Sequence, residues 1–389
     1  MTNRLLKNAL NQSLRPLCIA KMGNFFMNKQ NLIRPIDFLY LAIFVILTYG
    51  MFYYSYKWYG HATDFYYYYE LYKAPLSGET IAPFHYRRLT PLLVSMIAQA
   101  GIYYPLDINF SDSEVSQRIW FAAILVNYGG ILLSAVMAAK ITDILVEREE
   151  SSVKSGIVAP IFAGVLVFFS FLMMQKTLTP MNDGLTWFFT TGLFYAVLSR
   201  RLTVFGVLII LGVAHREMIP VIGMTFVFLT SMIRGWYLGG AVGVLQNVRA
   251  KWAYLAFSMI GILCYIFYRI LDPVSGNEEQ LQLITIFKNI LDRIIINPTF
   301  SKEMLLNAYI SQNIFLIFVV LVIRQWRFLI LETRVDVLVL LILMPSLYIL
   351  GYGVGMGSSI GRFGGWLAPC MTPFIVIMML PTQRHEAPP

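Results

Sequence analysis

Long apolar runs alternate with short polar segments along nearly the whole chain. Four of the clearest runs cover residues 38–52, 157–174, 253–270 and 304–323. Because about 20 predominantly apolar residues are needed for a helix to cross a bilayer, this pattern predicts helices rather than strands. We therefore predict an all-α, polytopic helical membrane protein with about 10 to 11 transmembrane helices.

The positions of the basic residues predict how these helices are oriented. Lys and Arg are frequent in the first 35 residues and recur in segments 234–251 and 324–334. Basic residues favour the cytoplasmic side of a membrane, so these segments and both termini are predicted to be cytoplasmic, with 234–251 an inside loop. The formal net charge of +9 is accordingly attributed to topology, and no nucleic-acid partner is expected.

The domain organisation follows from the same pattern. Residues 1–35 are predicted to form a basic cytoplasmic tail, 36–381 a single polytopic membrane domain, and 382–389 a short cytoplasmic tail. Residues 57–118 and 272–302 are the two large extracytoplasmic loops. We find no internal repeat and no separate soluble domain.

Residues 89–104 are apolar but short. If this segment crossed the membrane, every later basic loop would face outward, so we predict an interfacial or re-entrant helix within the first external loop. A crossing remains the alternative. In the second external loop, apolar residues between 281 and 294 fall at helical spacing and predict a helix on the membrane surface.

Composition narrows the class of protein further. Hydrophobic residues make up 58% of the chain and charged residues 13%, with a mean hydropathy of +0.65. The three cysteines have no metal-binding or disulfide spacing, and nucleotide-binding, zinc-protease and esterase motifs are absent. No cofactor is predicted, and the sequence gives no support for a divalent cation.

The charged residues outside the basic loops form the most informative group. The predicted topology places all of them at extracytoplasmic helix ends or in extracytoplasmic loops, although they lie far apart in sequence. They are Asp64, Arg87, Arg88, Asp183, His215, Arg216, Glu217 and Arg362. Charge at such positions is costly and usually functional, so we predict one polar site on the outer face.

The first external loop supplies two groups of candidates. Asp64 could act as a general base towards a hydroxyl, or be a helix cap or a surface charge. His85, Arg87 and Arg88 precede segment 89–104, and forked guanidinium donors suit a lipid phosphate or pyrophosphate. Contact with ordinary anionic headgroups is the alternative for these residues.

Three later positions complete the candidate set. Asp183 precedes a short apolar stretch, where capping alone could explain it. The triplet His215–Glu217 joins two short apolar stretches and could line a polar cavity, or contain an internal Arg–Glu pair. Arg362 lies in the glycine-rich segment 351–365, which could cradle an anion or allow close helix packing.

Two features together resemble the GT-C superfamily of polytopic membrane glycosyltransferases. One is the outward-facing acid after the first helix, followed by a basic–aromatic loop with interfacial helices. The other is the stretch PMNDGLTWFFTTGLFYAVLSRRLTVFGVLIILGVAHREMIPVIG, which is similar to the Asp–helix–basic turn–helix–Arg-Glu pattern of bacterial members. The resemblance implies that Asp64 is the catalytic base, although many members have two adjacent acids there and Asp64 has Thr63 and Phe65 as neighbours.

The resemblance also implies a function. We expect transfer of a sugar from a polyprenyl-phosphate donor to a glycan or lipid acceptor at the outer face of a bacterial inner membrane. Asp64 and Asp183 are the predicted catalytic residues; His85, Arg87, Arg88, His215, Arg216, Glu217 and Arg362 are predicted to bind substrate. The alternatives are a polysaccharide polymerase, a secondary transporter or flippase of lipid-linked glycans, and a non-catalytic assembly partner.

Overall fold

Helices account for all of the regular structure that can be described. The computed structural model describes residues 33–57, 63–78, 80, 86–103, 115–149, 156–175, 183–272, 288, 291–292, 313–353 and 365–380, and no strand occurs among them. The prediction of an all-α protein is confirmed. The chain divides into two units, residues 1–39 and 40–389.

Twelve α-helices lie in the described residues. They are α1 (Pro35–Lys57), α2 (Thr63–Lys73), α3 (Leu89–Gln99), α4 (Gln117–Arg148), α5 (Val158–Gln175), α6 (Asp183–Leu198), α7 (Leu202–His215), α8 (Met218–Ala250), α9 (Trp252–Leu271), α10 (Asn313–Gln325), α11 (Leu331–Gly353) and α12 (Ala368–Met379). A short 3-10 helix, Trp326–Phe328, follows α10.

The described part of the first unit contains the start of α1. Proline is well suited to the first helical position because its missing N–H has no helical acceptor there, and α1 begins at Pro35. The Asp37 side chain accepts a hydrogen bond of 2.8 Å from the backbone N–H of Arg34. This contact satisfies a backbone donor at the helix start.

Five of the described helices are long and apolar enough to cross a membrane: α1, α4, α8, α9 and the Leu331–Leu350 part of α11. Their outward faces are also apolar. On α9, for example, Ile260, Leu263 and Phe267 are exposed to more than half of their full area. Exposed apolar surface of this extent is expected where lipid rather than water surrounds a helix, as in a membrane protein.

Helix α4 is central to the second unit, where it packs against α3, α5, α6 and α12. Its closest approach is to α6, where a Cβ atom added to Gly130 would overlap the backbone of Gly184. A side chain at either glycine would force the two helices apart. The contact sets the position of the start of α6, which carries Asp183.

Most of the predicted inside loop 234–251 is helical. Helix α8 continues past Arg234 and breaks at Gly239 and Gly240, after which a second helical segment runs to Ala250. Gly240 has φ 58° and ψ −140°, a backbone conformation that is essentially restricted to glycine. The break turns the chain back, so that a Cβ atom on Gly243 would overlap the carbonyl oxygen of Gly235.

Helix α3 lies within segment 89–104, for which both a membrane crossing and an interfacial or re-entrant helix were considered. It contains 11 residues and is followed by Gly101, which has a φ of 71°. At about 1.5 Å per residue the helix is about 16 Å long, roughly half the thickness of a bilayer's hydrocarbon core. This length agrees with an interfacial or re-entrant helix. The surface helix predicted between 281 and 294 lies almost wholly outside the described residues.

Candidate functional site

The successive helices α6, α7 and α8 run antiparallel to one another. This arrangement brings charged residues that are distant in sequence to one end of the three helices. Short connections join them, and each packs against the next. The start of α6 and the turn between α7 and α8 therefore lie together. We call this the polar end, defined by Arg87, Asp183, His215, Arg216 and Glu217.

Asp183 and Arg216 form the deepest contact of the polar end. Asp183 is the first residue of α6 and is fully buried, and its Oδ1 lies 3.4 Å from Nη1 of Arg216, whose side chain is 7% exposed. The Arg216 guanidinium also lies over the ring of Trp366, 4.8 Å from the ring centroid. A buried charge needs such partners because it has lost its hydration.

Arg87 and Glu217 form a second, shorter ion pair. Nη2 and Nε of Arg87 donate to the two carboxylate oxygens of Glu217 at 2.6 and 3.1 Å. Burial by itself would raise the pKa of Glu217, but the Arg87 guanidinium outweighs it and lowers that pKa. Burial would likewise lower the pKa of Arg87, and the Glu217 carboxylate raises it well above its ordinary value. Both groups are therefore charged at neutral pH.

His215 lies between two threonines at the end of α7. Its side chain is fully buried, with Nδ1 2.9 Å from Oγ1 of Thr90 and Nε2 2.9 Å from Oγ1 of Thr186. The ring also stacks on Phe189, with 5.4 Å between centroids. These contacts fix the ring orientation and join α3, α6 and α7 at the polar end.

Three consecutive residues before α3 connect it to separate parts of the fold. The Tyr86 hydroxyl donates to the carbonyl oxygen of Asp272 at the end of α9. Arg87 pairs with Glu217, and Nη1 of Arg88 donates to the carbonyl oxygens of Pro75 and Gly78, at 3.1 and 3.0 Å. The segment thus holds the turn after α2 and the starts of α3 and α8 together.

The structure brings together five of the nine predicted site residues and gives them protein partners. Arg216 contacts Asp183 and Glu217 pairs with Arg87, so the alternative of an Arg–Glu pair inside the turn is wrong. Arg88 lies beside this group and binds backbone carbonyls. His85 and Arg362 lie outside the described residues.

Asp64 lies in the first turn of α2, and its side chain is outside the described part of the chain. Four residues later on the same helix, Tyr68 interacts electrostatically with Arg87. Residues four apart lie on the same face of a helix. The backbone position of Asp64 is therefore one turn from a residue that contacts the polar end.

Sequence reasoning missed the uncharged residues that position this group. Asn127 accepts a 2.7 Å hydrogen bond on Oδ1 from the backbone N–H of Gly184, next to Asp183. Thr90 and Thr186 hold His215. A signal existed for Asn127, since it is a polar residue inside the apolar run of α4, where an unsatisfied amide would be costly. No group of three or more metal-ligating side chains occurs among the described residues.

Comparison of the chain with protein-family models, curated proteins and solved structures found no match.

Proposed function

We propose that the protein is a GT-C-like glycosyltransferase that moves a sugar from a polyprenyl-phosphate donor to a glycan or lipid acceptor at the extracytoplasmic face. One observation carries this proposal. Two ion pairs and a buried histidine, supplied by segments near residues 87, 183 and 216, meet at one end of three helices in an apolar, membrane-type molecule. Charge buried in such surroundings is usually kept for function.

The proposed reaction needs a base and a phosphate ligand. The acceptor hydroxyl oxygen attacks the anomeric carbon of the sugar, and the bond from this carbon to the phosphate oxygen breaks. The hydroxyl proton passes to the carboxylate of Asp64, and polyprenyl phosphate leaves with the electron pair. Arginines near the leaving oxygen stabilise the charge that develops there.

Of the two paired arginines, Arg216 is the better candidate for the phosphate ligand. Its contact with Asp183 is single and measures 3.4 Å, whereas Arg87 makes two contacts to Glu217 of 2.6 and 3.1 Å. A bidentate pair with short contacts is the stronger of the two. In this proposal Arg87 and Glu217 hold the segments in place, while Asp183 orients Arg216 until a donor phosphate competes for it.

The test is turnover in reconstituted lipid vesicles. The purified protein would be mixed with a panel of polyprenyl-phosphate and pyrophosphate sugars and mixed glycan acceptors, and release of the free lipid phosphate followed by mass spectrometry. We expect release from at least one donor. Arg216→Lys should lower it by about 100-fold, since this is the usual cost of one charge-stabilising donor.

Arg249→Lys is the matched control, because Arg249 is an exposed arginine at the far end of α8. Its turnover should equal that of the wild type. Equal activity of the Arg216 and Arg249 variants would remove Arg216 from the mechanism. Absence of release from every donor would contradict the transferase proposal and favour transport of lipid-linked glycans.

A further inference from the structure

A second group of charged side chains lies at the other ends of α6 and α8. Asp183 and Leu198 are the first and last residues of α6, so about 23 Å of helix separates them. Arg148, the last residue of α4, donates from Nη2 to the carbonyl oxygen of Leu198 and from Nη1 to Oδ2 of Asp336, at 3.1 and 3.0 Å. We call this the basic end, defined by Arg148, Arg200, Arg234, Lys251 and Asp336.

Positive charge is in excess at the basic end. The charged groups that act most strongly on Lys251 are one carboxylate, Asp336, and the guanidinium groups of Arg234, Arg200 and Arg148. Arg148 is held by Asp336, and Arg234 lies 3.7 Å from a half-exposed Glu332. Neither Arg200 nor Lys251 has a carboxylate within ion-pair distance among the described residues.

The pKa of Lys251 reflects first its burial and then this excess of positive charge. Burial and the three neighbouring arginines together outweigh Asp336 and lower the pKa of Lys251 from 10.5 to about 8. The lysine is therefore mostly charged at neutral pH and faces like charges. An anion bound among these groups would relieve the repulsion.

Tyr254, three residues after Lys251, carries a buried hydroxyl. Tyr254 lies one turn further along α9, its side chain is 5% exposed, and its hydroxyl has no hydrogen-bond partner in the described part of the chain. The hydroxyl interacts electrostatically with Arg200. Buried hydroxyls are normally hydrogen-bonded, so the Tyr254 hydroxyl is available to donate to a bound anion.

Arg200 occupies a position that its residue type disfavours. Its φ is 56°, in the left-handed region, and the backbone N–H groups of Arg200 and Arg201 bond to the carbonyl oxygens of Val197 and Ala196. This is the helix ending in which glycine is usual at the left-handed residue. The chain therefore keeps a cation at a site where glycine would be more stable.

We propose that the basic end is a binding site for a phosphate group, contacted by the side chains of Arg200, Lys251 and Tyr254. Arg148 is then a positioning residue, because Asp336 and the end of α6 already hold it. The phosphate could belong to a phospholipid headgroup or to a soluble phosphate compound. This inference does not depend on the transferase activity proposed for the polar end.

The experiment compares phosphate sources on the full-length protein in an uncharged detergent. One arm measures the thermal shift caused by sodium phosphate and by pyrophosphate, against sodium chloride of equal ionic strength. The other measures binding of phosphatidylglycerol against phosphatidylcholine by native mass spectrometry. A response confined to the first arm indicates a soluble ligand, and one confined to the second indicates a lipid.

The sharpest variant is Arg200→Gly, since glycine suits the left-handed position and the folded protein should be as stable as the wild type or more so. We expect this variant and Lys251→Met each to weaken binding by about tenfold, the effect of losing one charge-assisted contact. Arg249→Gln removes a nearby exposed charge and should leave binding unchanged. Absence of a response in both arms, or equal weakening by Arg249→Gln, would overturn the proposal.

Discussion

The two ends of helices α6 and α8 both carry charged side chains but balance them differently. At the polar end, two arginines face two carboxylates, and the Asp183–Arg216 contact is almost completely buried. At the basic end, Lys251 faces three arginines and one carboxylate, and the Arg234–Glu332 contact is partly exposed. Buried charges that are paired with each other form a preorganised site. An excess of positive charge instead attracts an anionic ligand.

The largest difference between the ends should come from removing one carboxylate at each. Asp183→Ala removes the carboxylate that contacts the buried Arg216 guanidinium and should destabilise the protein by about 3–5 kcal/mol. Glu332→Ala removes the partner of a partly exposed arginine and should cost less than about 1 kcal/mol. Thermal unfolding of both variants in the same detergent measures this contrast. Similar losses would show that the two ends do not differ in how charge is buried.

Helix packing at the polar end can be tested with two adjacent glycines of α4. A Cβ atom on Gly130 would overlap the backbone of Gly184, and one on Gly129 would meet nothing within 4 Å. Gly130→Ala should therefore destabilise by about 1–3 kcal/mol. Gly129→Ala should be neutral or stabilise by up to about 1 kcal/mol, because alanine is the better helix former. If both variants behave alike, the close approach of α4 and α6 is contradicted.

A third test is the pH dependence of stability that comes from Lys251. Its pKa is about 8 in the folded protein and 10.5 as an ordinary lysine. Between these values the unfolded chain binds more protons, so this group makes the protein more stable as pH rises. The melting temperature of the wild type should therefore increase relative to that of Lys251→Met between pH 8 and 10. A difference that does not change with pH would contradict the lowered pKa of Lys251, which comes from its burial and from the neighbouring arginines.

The hydrophobic pattern was sufficient to predict an all-α membrane protein, because lipid requires apolar helical segments and long runs of them are visible in the sequence. The start of α6 at Asp183 and the break at residues 216 and 217 were also visible, since charge interrupts the apolar pattern there. The helical return after Gly240 was not predictable, because basic residues indicate the side of the membrane on which a segment lies and not its conformation.

The residues of the candidate site could be predicted from the sequence, but which of them form ion pairs with each other could not. The free-energy cost of burying charge in a membrane singled out Arg87, Asp183 and Glu217. Nothing in the sequence, however, distinguishes an Arg216–Glu217 pair from the observed pairs between residues distant in sequence. Those pairings depend on how α3, α6 and α8 pack. Thr90 and Thr186, which hold His215, gave no sequence signal at all, because threonine is common in such helices.

The central claim is that the polar end and α2 form a sugar-transfer site, and turnover by a single carboxylate variant tests it most directly. Release of polyprenyl phosphate would be measured for Asp64→Asn and for Glu70→Gln, both in α2. Glu70 is an exposed residue paired with Lys73 and is therefore a suitable control. We expect Asp64→Asn to abolish release and Glu70→Gln to keep the wild-type rate. Unchanged release by a folded Asp64→Asn protein would contradict the assigned base and the mechanism built on it.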